Sequence, residues 1–200
     1  MRDIDRFLQT TNAIIFDCDG TLVDTPRLYA PAWQDAFGSI GIDMPLAWYH
    51  SRAGMSEDVL MDDFEHDHGV RLDRAQVVRA MRGAFLARVA NVEEIAPIAN
   101  IARRHHGTLP MAVASGGPAG LVAASLRHAG LVDLFAAVVT IDDVAHPKPA
   151  PDLFHEAARR LGVDPGDCLV FEDSPKGLIA ARRAGMQVID VRSLLEPAKL

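Results

Sequence analysis

The second half of the chain alternates short apolar segments with amphipathic segments of helix length, and this alternation restricts the fold more than any other feature. Strands are predicted over residues 109–115, 136–141, 168–171 and 187–191. Helices are predicted over 118–128, over 152–161 and from Ser174-Pro175 to Gly185, with Ser as N-cap in the last. Strands that alternate with helices of about ten residues indicate βαβ units and a parallel sheet covered on both faces.

A further strand is predicted near the N-terminus, over residues 13–16, but the segment after it has a different pattern. Residues 25–90 show helical periodicity without a convincing strand, in the segments 30–37, 57–66 and 74–89. We therefore expect an α/β fold, with a doubly wound, mostly parallel sheet and an inserted helical domain. The α/β domain should comprise residues 1–24 and 91–200, and the helical domain residues 25–90.

The composition excludes several classes of partner. The chain has 200 residues, which allows one large domain or one domain with a smaller insertion. Its formal net charge is −7 and its basic residues are scattered, which argues against binding of nucleic acid. No apolar stretch is long enough to span a bilayer, and the first ten residues lack the apolar core of a signal peptide. We expect a monomeric cytoplasmic protein with no nucleic-acid or membrane partner.

Four polar clusters each follow the carboxyl end of a predicted strand. They occupy residues 17–21 (DCDGT), 115–117 (SGG), 146–149 (HPKP) and 172–174 (EDS). In open α/β sheets, the binding crevice lies outside the carboxyl ends of the strands. A single cluster would be ordinary turn chemistry, whereas four clusters in this order predict one functional site.

The residue types at these positions indicate a metal ion and a phosphorylated substrate. Four carboxylates would meet in one crevice: Asp17, Asp19, Glu172 and Asp173. A hard divalent cation relieves their mutual repulsion, and oxygen ligands suit Mg²⁺. Lys148 and the Ser115 hydroxyl would supply positive charge and a hydrogen-bond donor for a phosphate group. Because a carboxylate can act as a covalent nucleophile, the sequence predicts a Mg²⁺-dependent enzyme that acts on a small phosphorylated metabolite.

In these four motifs the chain resembles the haloacid dehalogenase (HAD) superfamily of phosphohydrolases. The resemblance covers nearly the whole chain and includes DCDGT, the serine after the second strand, KPAPD and EDS. Residues 147–152 and 170–177 resemble the β-phosphoglucomutase-like branch, and residues 110–191 are most similar to fructose-1-phosphate phosphatase-like members. The resemblance implies a HAD-like Rossmannoid core with a helical cap.

The resemblance also implies a role for each motif residue. Asp17 would be the nucleophile, and Asp19 would protonate the leaving oxygen and then activate water. The Mg²⁺ ligands would be Asp17, the backbone carbonyl of Asp19, and Asp173, with Glu172 either a direct ligand or a neighbour of the ligands. Contacts to phosphate or substrate are expected from Thr21, Gly54, Glu57, Ser115, Gly116 and Lys148. An aspartate at the position of Asp19 distinguishes phosphatases and mutases from dehalogenases.

The predicted cap departs from the mutase pattern. Tyr29, Ala53 and Glu57 stand where the mutase has His, Lys and Arg, which help to hold a second phosphate. We therefore predict a phosphoric monoester hydrolase for sugar- or polyol-phosphates, with a phosphomutase as the alternative. A non-catalytic metal- or phosphate-binding module is a third interpretation, and the presence of both Asp17 and Asp19 argues against it.

Two further expectations concern Glu57 and the Lys148–Pro149 bond. A Glu57 carboxylate that faced the substrate would repel a second phosphate and so favour monophosphates over bisphosphates. The same residue would also suit the first turn of a helix that follows Ser56, where a negative charge interacts favourably with the helix dipole. The Lys148–Pro149 peptide bond is expected to be cis, as in close relatives.

The acidic crevice leads to a prediction for activity. Asp17→Asn should abolish turnover because an amide is not a nucleophile toward phosphorus, and a chelator should abolish turnover reversibly because it removes the metal. Phosphate release by the wild type, the variant and the chelated wild type, each before and after Mg²⁺ is added back, measures both effects. Full phosphate release by the Asp17→Asn variant would contradict the covalent mechanism.

Overall fold

The computed structural model describes residues 7–52 and 55–195. The chain divides into two compact units, one of residues 1–24 with 93–200 and the other of residues 25–92. The first unit contains the sheet and the second is helical. That the first unit is the catalytic domain and the second acts as a cap stays a prediction.

A five-stranded parallel sheet forms the centre of the first unit. Its strands are β1 (Ala13–Phe16), β2 (Met111–Ala114), β3 (Ala137–Val139), β4 (Cys168–Glu172) and β5 (Gln187–Asp190). Their spatial order is β3–β2–β1–β4–β5, and each neighbouring pair is parallel. The order reverses between β1 and β4, as in a doubly wound fold. The predicted α/β class is confirmed, and every predicted strand lies within two residues of an observed one.

Strand β1 lies at the middle of the sheet and is covered on both faces. All four of its residues are completely buried, and successive side chains of a strand point to opposite faces. The Phe16 ring stacks on Phe171 of β4, its register partner, with ring centroids 5.1 Å apart. This uninterrupted apolar pattern is typical of a parallel strand inside an α/β domain.

The second unit consists of helices. They are α1 (Pro26–Gly38), α2 (Leu46–His50), α3 (Glu57–His68) and α4 (Arg74–Leu86). Phe37 of α1 contacts Phe64 of α3, with ring centroids 4.4 Å apart, and Tyr29 contacts Phe85 of α4 at 4.5 Å. The sequence did not predict α2, and it predicted that α1 begins at Ala30. That start would place Pro31 in the first turn, where a missing N–H is tolerated, whereas the observed helix contains Pro31 in its interior.

The first unit has five α-helices in its described part, of which the first precedes β2 and the others come after β2, β3, β4 and β5. They are α5 (Ala96–His105), α6 (Ala119–His128), α7 (Asp152–Leu161), α8 (Pro175–Arg183) and α9 (Arg192–Leu195). Helix α7 contributes Leu153 and Phe154 to the buried cluster that also contains Ile15 of β1 and Val170 of β4. Ser174 caps α8, as predicted, by accepting a hydrogen bond from the Gly177 N–H at 3.0 Å. Across the described part of the chain, every helix is too short or too polar to cross a membrane.

The aromatic contacts of the helical unit lead to a prediction for stability. Phe64 is 1% exposed, so Phe64→Ala should lower the free energy of unfolding of this unit by about 3–5 kcal/mol. Val59→Ala in the same helix is the control, because Val59 is 37% exposed and its loss should change stability by no more than about 0.5 kcal/mol. Both tryptophans of the chain, Trp33 and Trp48, lie in this unit, so urea titration followed by tryptophan fluorescence reports its unfolding. Equal midpoints for the two variants would contradict the prediction.

Candidate active site

Polar residues at the ends of three neighbouring strands meet at one edge of the sheet. Asp17 follows β1, Ser115 follows β2, and Glu172 is the last residue of β4. Because β1 pairs in parallel with both β2 and β4, their carboxyl ends lie side by side. Lys148 reaches the same place from the segment after β3, and the peptide bond between Lys148 and Pro149 is cis, as predicted.

The Lys148 ammonium joins two of the predicted acidic residues. Its Nζ donates to Oδ1 of Asp17 at 2.5 Å and to Oε2 of Glu172 at 2.7 Å. The side chains of Lys148, Asp17 and Glu172 are only 10%, 7% and 0% exposed. Two buried negative charges therefore share one positive charge.

The other oxygen of Glu172 accepts hydrogen bonds from the two residues that precede helix α8. Oε1 accepts from the backbone N–H of Asp173 at 3.1 Å, and from the N–H and the hydroxyl of Ser174, both at 2.8 Å. A Cβ on Gly177 would lie 1.9 Å from Oε2 of Glu172, so a larger residue leaves no room for this carboxylate. Both oxygens of Glu172 thus have donors within the protein.

Asp173 is held by the segment that follows β1. The Thr21 hydroxyl, which is completely buried, donates to Oδ1 of Asp173 at 3.1 Å. Gly20 has a φ of +87°, and a Cβ there would lie 2.6 Å from Oδ2 of Asp173, so both its conformation and its lack of a side chain are needed. Thr21 was predicted to contact phosphate, but the structure places its hydroxyl on Asp173.

Asp19 lies against the loop after β2. The Ser115 hydroxyl donates to Oδ2 of Asp19 at 3.1 Å and accepts from the Gly117 N–H at 3.0 Å. A Cβ on Gly117 would lie 3.2 Å from the same Asp19 oxygen. The sequence indicates only that Gly117 lies in a turn. Its close approach to Asp19 could not be predicted, because the two residues are almost a hundred positions apart. Gly116, the predicted contact to substrate, is exposed and has open space where its Cβ would be.

Burial and charge shift the pKa values of these groups in different directions. Burial first, and then the charge of Glu172, raise the pKa of Asp17 well above its usual value, although Lys148 opposes this. Burial and Glu172 likewise raise the pKa of Asp173 to about 6. Burial works to raise the pKa of Glu172 too, but Lys148 and Ser174 hold it below its usual value. Burial works to lower the pKa of Lys148, but Asp17 and Glu172 raise it, so this residue stays a cation.

The carboxylates of Asp17, Glu172 and Asp173 form a set that fits a divalent metal ion. Each offers an oxygen that lies within 4.8 Å of the others. One lysine cannot balance three carboxylates. Burial first, and then repulsion from Glu172, raise the pKa values of Asp17 and Asp173. A hard cation with oxygen ligands relieves this repulsion. The predicted acidic metal site is therefore chemically consistent with a divalent cation.

Two residues of the helical unit, Gly54 and Glu57, were also predicted to contact the substrate. Gly54 lies outside the described residues. Both oxygens of Glu57 accept hydrogen bonds from the Arg82 guanidinium, at 2.9 Å from Nε and 2.7 Å from Nη2. The expectation that Glu57 repels a second phosphate required a carboxylate without a positive partner. The ion pair with Arg82 removes the basis of that expectation. Glu57 lies in the first turn of α3, which is the alternative position that the sequence allowed.

Comparison with known proteins identifies the family. A family model for haloacid dehalogenase-like hydrolases matches residues 11–185. The chain belongs to this family. The match spans both compact units, and the resemblance inferred from the four motifs is confirmed.

Named relatives and solved structures agree with this assignment. Fructose-1-phosphate phosphatase YqaB of Escherichia coli (strain K12) is 36% identical over 181 residues, which cover 90% of this chain and 96% of that protein. The putative phosphatase YhcW of Bacillus subtilis (strain 168) is 34% identical over 183 residues, covering 90% and 82%. A crystal structure of CbbY from Rhodobacter sphaeroides in complex with xylulose-(1,5)bisphosphate is 27% identical, with a TM-score of 0.76 and coverage of 89% and 84%.

The contact between Gly177 and Glu172 leads to a prediction for both stability and activity. Gly177→Ala should displace the Glu172 carboxylate and with it the Lys148 ammonium, so phosphate release should fall roughly tenfold or more. The variant should also be less stable, although alanine is favoured over glycine in helices by about 1 kcal/mol. Enzyme assays and thermal unfolding measure the two effects.

Gly83→Ala in helix α4 is the matched control. A Cβ on Gly83 would have no heavy atom within 4 Å, so the variant should keep its activity and be as stable as the wild type or slightly more stable. If Gly177→Ala behaved like Gly83→Ala, the close approach to Glu172 would not be a constraint on the site.

Proposed function

We propose that this chain is a phosphatase that hydrolyses a small sugar- or polyol-phosphate monoester through an aspartyl-phosphate on Asp17, with Mg²⁺ as cofactor. The observation that carries the proposal is the position of Asp17. It is buried at the carboxyl end of the central strand, in contact with Lys148 and next to two further carboxylates. Asp19 lies two residues further on, where the Ser115 hydroxyl orients its carboxylate.

In the first step, Asp17 takes the phosphoryl group from the substrate. A carboxylate oxygen of Asp17 forms a bond to phosphorus as the bond from phosphorus to the ester oxygen breaks. The leaving alkoxide receives a proton from the carboxylic acid of Asp19. Lys148 donates to the phosphoryl oxygens and helps to stabilise their charge. The Ser115 hydroxyl, which donates to Asp19 in the structure, would turn to donate to a phosphoryl oxygen when the substrate binds.

In the second step, water releases the phosphate. Asp19, now a carboxylate, accepts a proton from the water molecule as its oxygen bonds to phosphorus. The bond between phosphorus and the Asp17 oxygen breaks, which restores the Asp17 carboxylate and releases inorganic phosphate. Asp19 is again protonated and ready for the next substrate. One residue therefore serves as acid and then as base, which explains why its carboxylate is oriented by a hydrogen bond.

Asp17, the backbone carbonyl of Asp19, and Asp173 would hold the Mg²⁺ ion. When bound there, the cation neutralises negative charge on the phosphoryl group and on the carboxylates around it. Glu172 belongs to the same carboxylate set. We assign it a positioning role rather than that of a direct ligand, because both of its oxygens have protein donors and one of these donors is Lys148. Thr21 has a similar role toward Asp173.

The proposed substrate is a phosphorylated sugar or polyol. The relative from Escherichia coli is named for fructose 1-phosphate, and the CbbY structure contains a sugar bisphosphate. The phosphomutase alternative is disfavoured because Tyr29, Ala53 and Glu57 replace the basic residues of the mutase, and Glu57 is paired with Arg82. The presence of Asp17 and Asp19 disfavours a non-catalytic binding module. A monomeric state and a cytoplasmic location stay predictions.

The function is tested by phosphate release across a panel of phosphorylated metabolites with Mg²⁺ present. We expect turnover of ketose and polyol monophosphates, with fructose 1-phosphate among the substrates. Rapid acid quenching with a ³²P-labelled substrate should leave a labelled protein that hydroxylamine discharges, because an acyl phosphate reacts with hydroxylamine. Asp17→Asn should show neither the label nor turnover.

Two results would contradict this proposal. Release of phosphate without any labelled protein, at quench times shorter than one turnover, would argue against the aspartyl-phosphate. Conversion of a sugar phosphate into its isomer, with little free phosphate, would favour the phosphomutase. Cys18→Ser serves as a control between the two aspartates, and it should still form the labelled protein because the thiol takes no part in either step.

A further inference from the structure

The Lys148 ammonium has a third neighbour besides the two carboxylates. Nζ lies over the ring of Phe154, 5.2 Å from the ring centroid. This distance is within the range of about 6 Å in which a cation is attracted to the negative face of an aromatic ring. The buried ammonium is therefore bounded by Asp17, Glu172 and an aromatic surface.

Phe154 is fixed in place by the core of the sheet unit. It is completely buried and lies in the first turn of helix α7, where its N–H donates to the Pro151 carbonyl at 3.1 Å. The apolar cluster around it includes Ile15 of β1, Ala112 of β2 and Val170 of β4. The ring thus cannot move away from the ammonium without disturbing the packing of three strands.

An aromatic ring suits this position better than a polar or an aliphatic group. A third carboxylate would bind the ammonium more tightly and would compete with the phosphoryl oxygens for its N–H groups. An aliphatic side chain would leave that side of a buried cation without any electrostatic compensation. The ring attracts the cation without accepting a conventional hydrogen bond, so the N–H groups remain directed toward oxygen acceptors.

We propose that Phe154 is a positioning residue, whose ring holds the Lys148 ammonium in place for binding of a phosphoryl group. The inference rests on the proposed function, since Lys148 acts there as a donor to phosphate. It adds a residue beyond the KPAPD motif, two positions after Asp152. Phe154 acts through Lys148 and has no chemical step of its own.

The test replaces Phe154 by phenylalanines with one, two and three ring fluorines. Fluorine weakens the negative potential of the ring face stepwise while the size of the ring changes little. The primary measurement is the dissociation constant of inorganic phosphate, obtained by calorimetry on the full chain with MgCl₂ present. Phosphate affinity should fall with each fluorine, and loss of the whole interaction should weaken binding about twofold to thirtyfold, given the strength of such contacts. The value of kcat/KM should follow the same order.

The same fluorinated series at Phe37 is the matched control. Phe37 is also completely buried, but it packs against Trp33 and Phe64 in the helical unit. Fluorination there should leave phosphate affinity unchanged. If phosphate affinity were the same for all fluorinated variants at Phe154, and the wild type bound phosphate and hydrolysed phosphate esters, the inference would be overturned while the proposed function stands. A wild type that neither binds phosphate nor hydrolyses any phosphate ester would overturn both.

Substitutions of Phe154 by standard amino acids give a second test. Phe154→Leu keeps an apolar side chain but removes the ring, so phosphate affinity should fall, whereas Phe154→Tyr keeps the ring and should retain most of it. Lys148→Ala should remove the dependence on fluorination altogether. If Phe154→Leu failed to fold, the fluorinated series would still decide the question. Equal phosphate affinities of folded Phe154→Leu and wild type would contradict the proposal.

Discussion

The contact of the Lys148 ammonium with Asp17 and Glu172 is the interaction on which the rest of the site depends. Parallel strands β1 and β4 place acidic residues side by side at their carboxyl ends, so repulsion is a consequence of the sheet itself. A buried carboxylate without a partner takes up a proton and loses its charge. Lysine compensates part of the charge, and the excess that remains makes the site suited to a divalent cation.

The acidic residues are held by backbone and hydroxyl groups that come very close to them. Glu172 accepts hydrogen bonds from the N–H groups of Asp173 and Ser174, which directly precede helix α8, and the helix dipole favours a negative charge at this end. Gly177 and Gly20 leave space for Glu172 and Asp173 that a methyl group would fill. Carboxylates held in this way are already oriented before a cation or a substrate binds. The same close packing explains why the sheet edge tolerates so many carboxylates.

The helical unit shows how tertiary contacts change the meaning of a charged residue. Glu57 pairs with Arg82, and Glu65 pairs with Arg74, so their charges are compensated inside the unit. The charge of one residue in a sequence therefore does not indicate the electrostatic potential at the place where a substrate binds. Substrate preference in this protein has to be measured across a panel, because Glu57, the carboxylate that the sequence indicated as a selector, is paired with Arg82.

The sequence by itself determined the α/β class, the five strands and the positions of the motif residues. Those features are local, since apolar runs, N-caps and loop residues are encoded within a few positions of one another. Only the tertiary structure decided that Thr21 binds Asp173, that Glu57 is paired, and that Phe154 lies beneath the Lys148 ammonium. Each of these contacts joins side chains that are separated along the chain or lie on different elements, and periodicity and spacing contain no information about which atoms meet there.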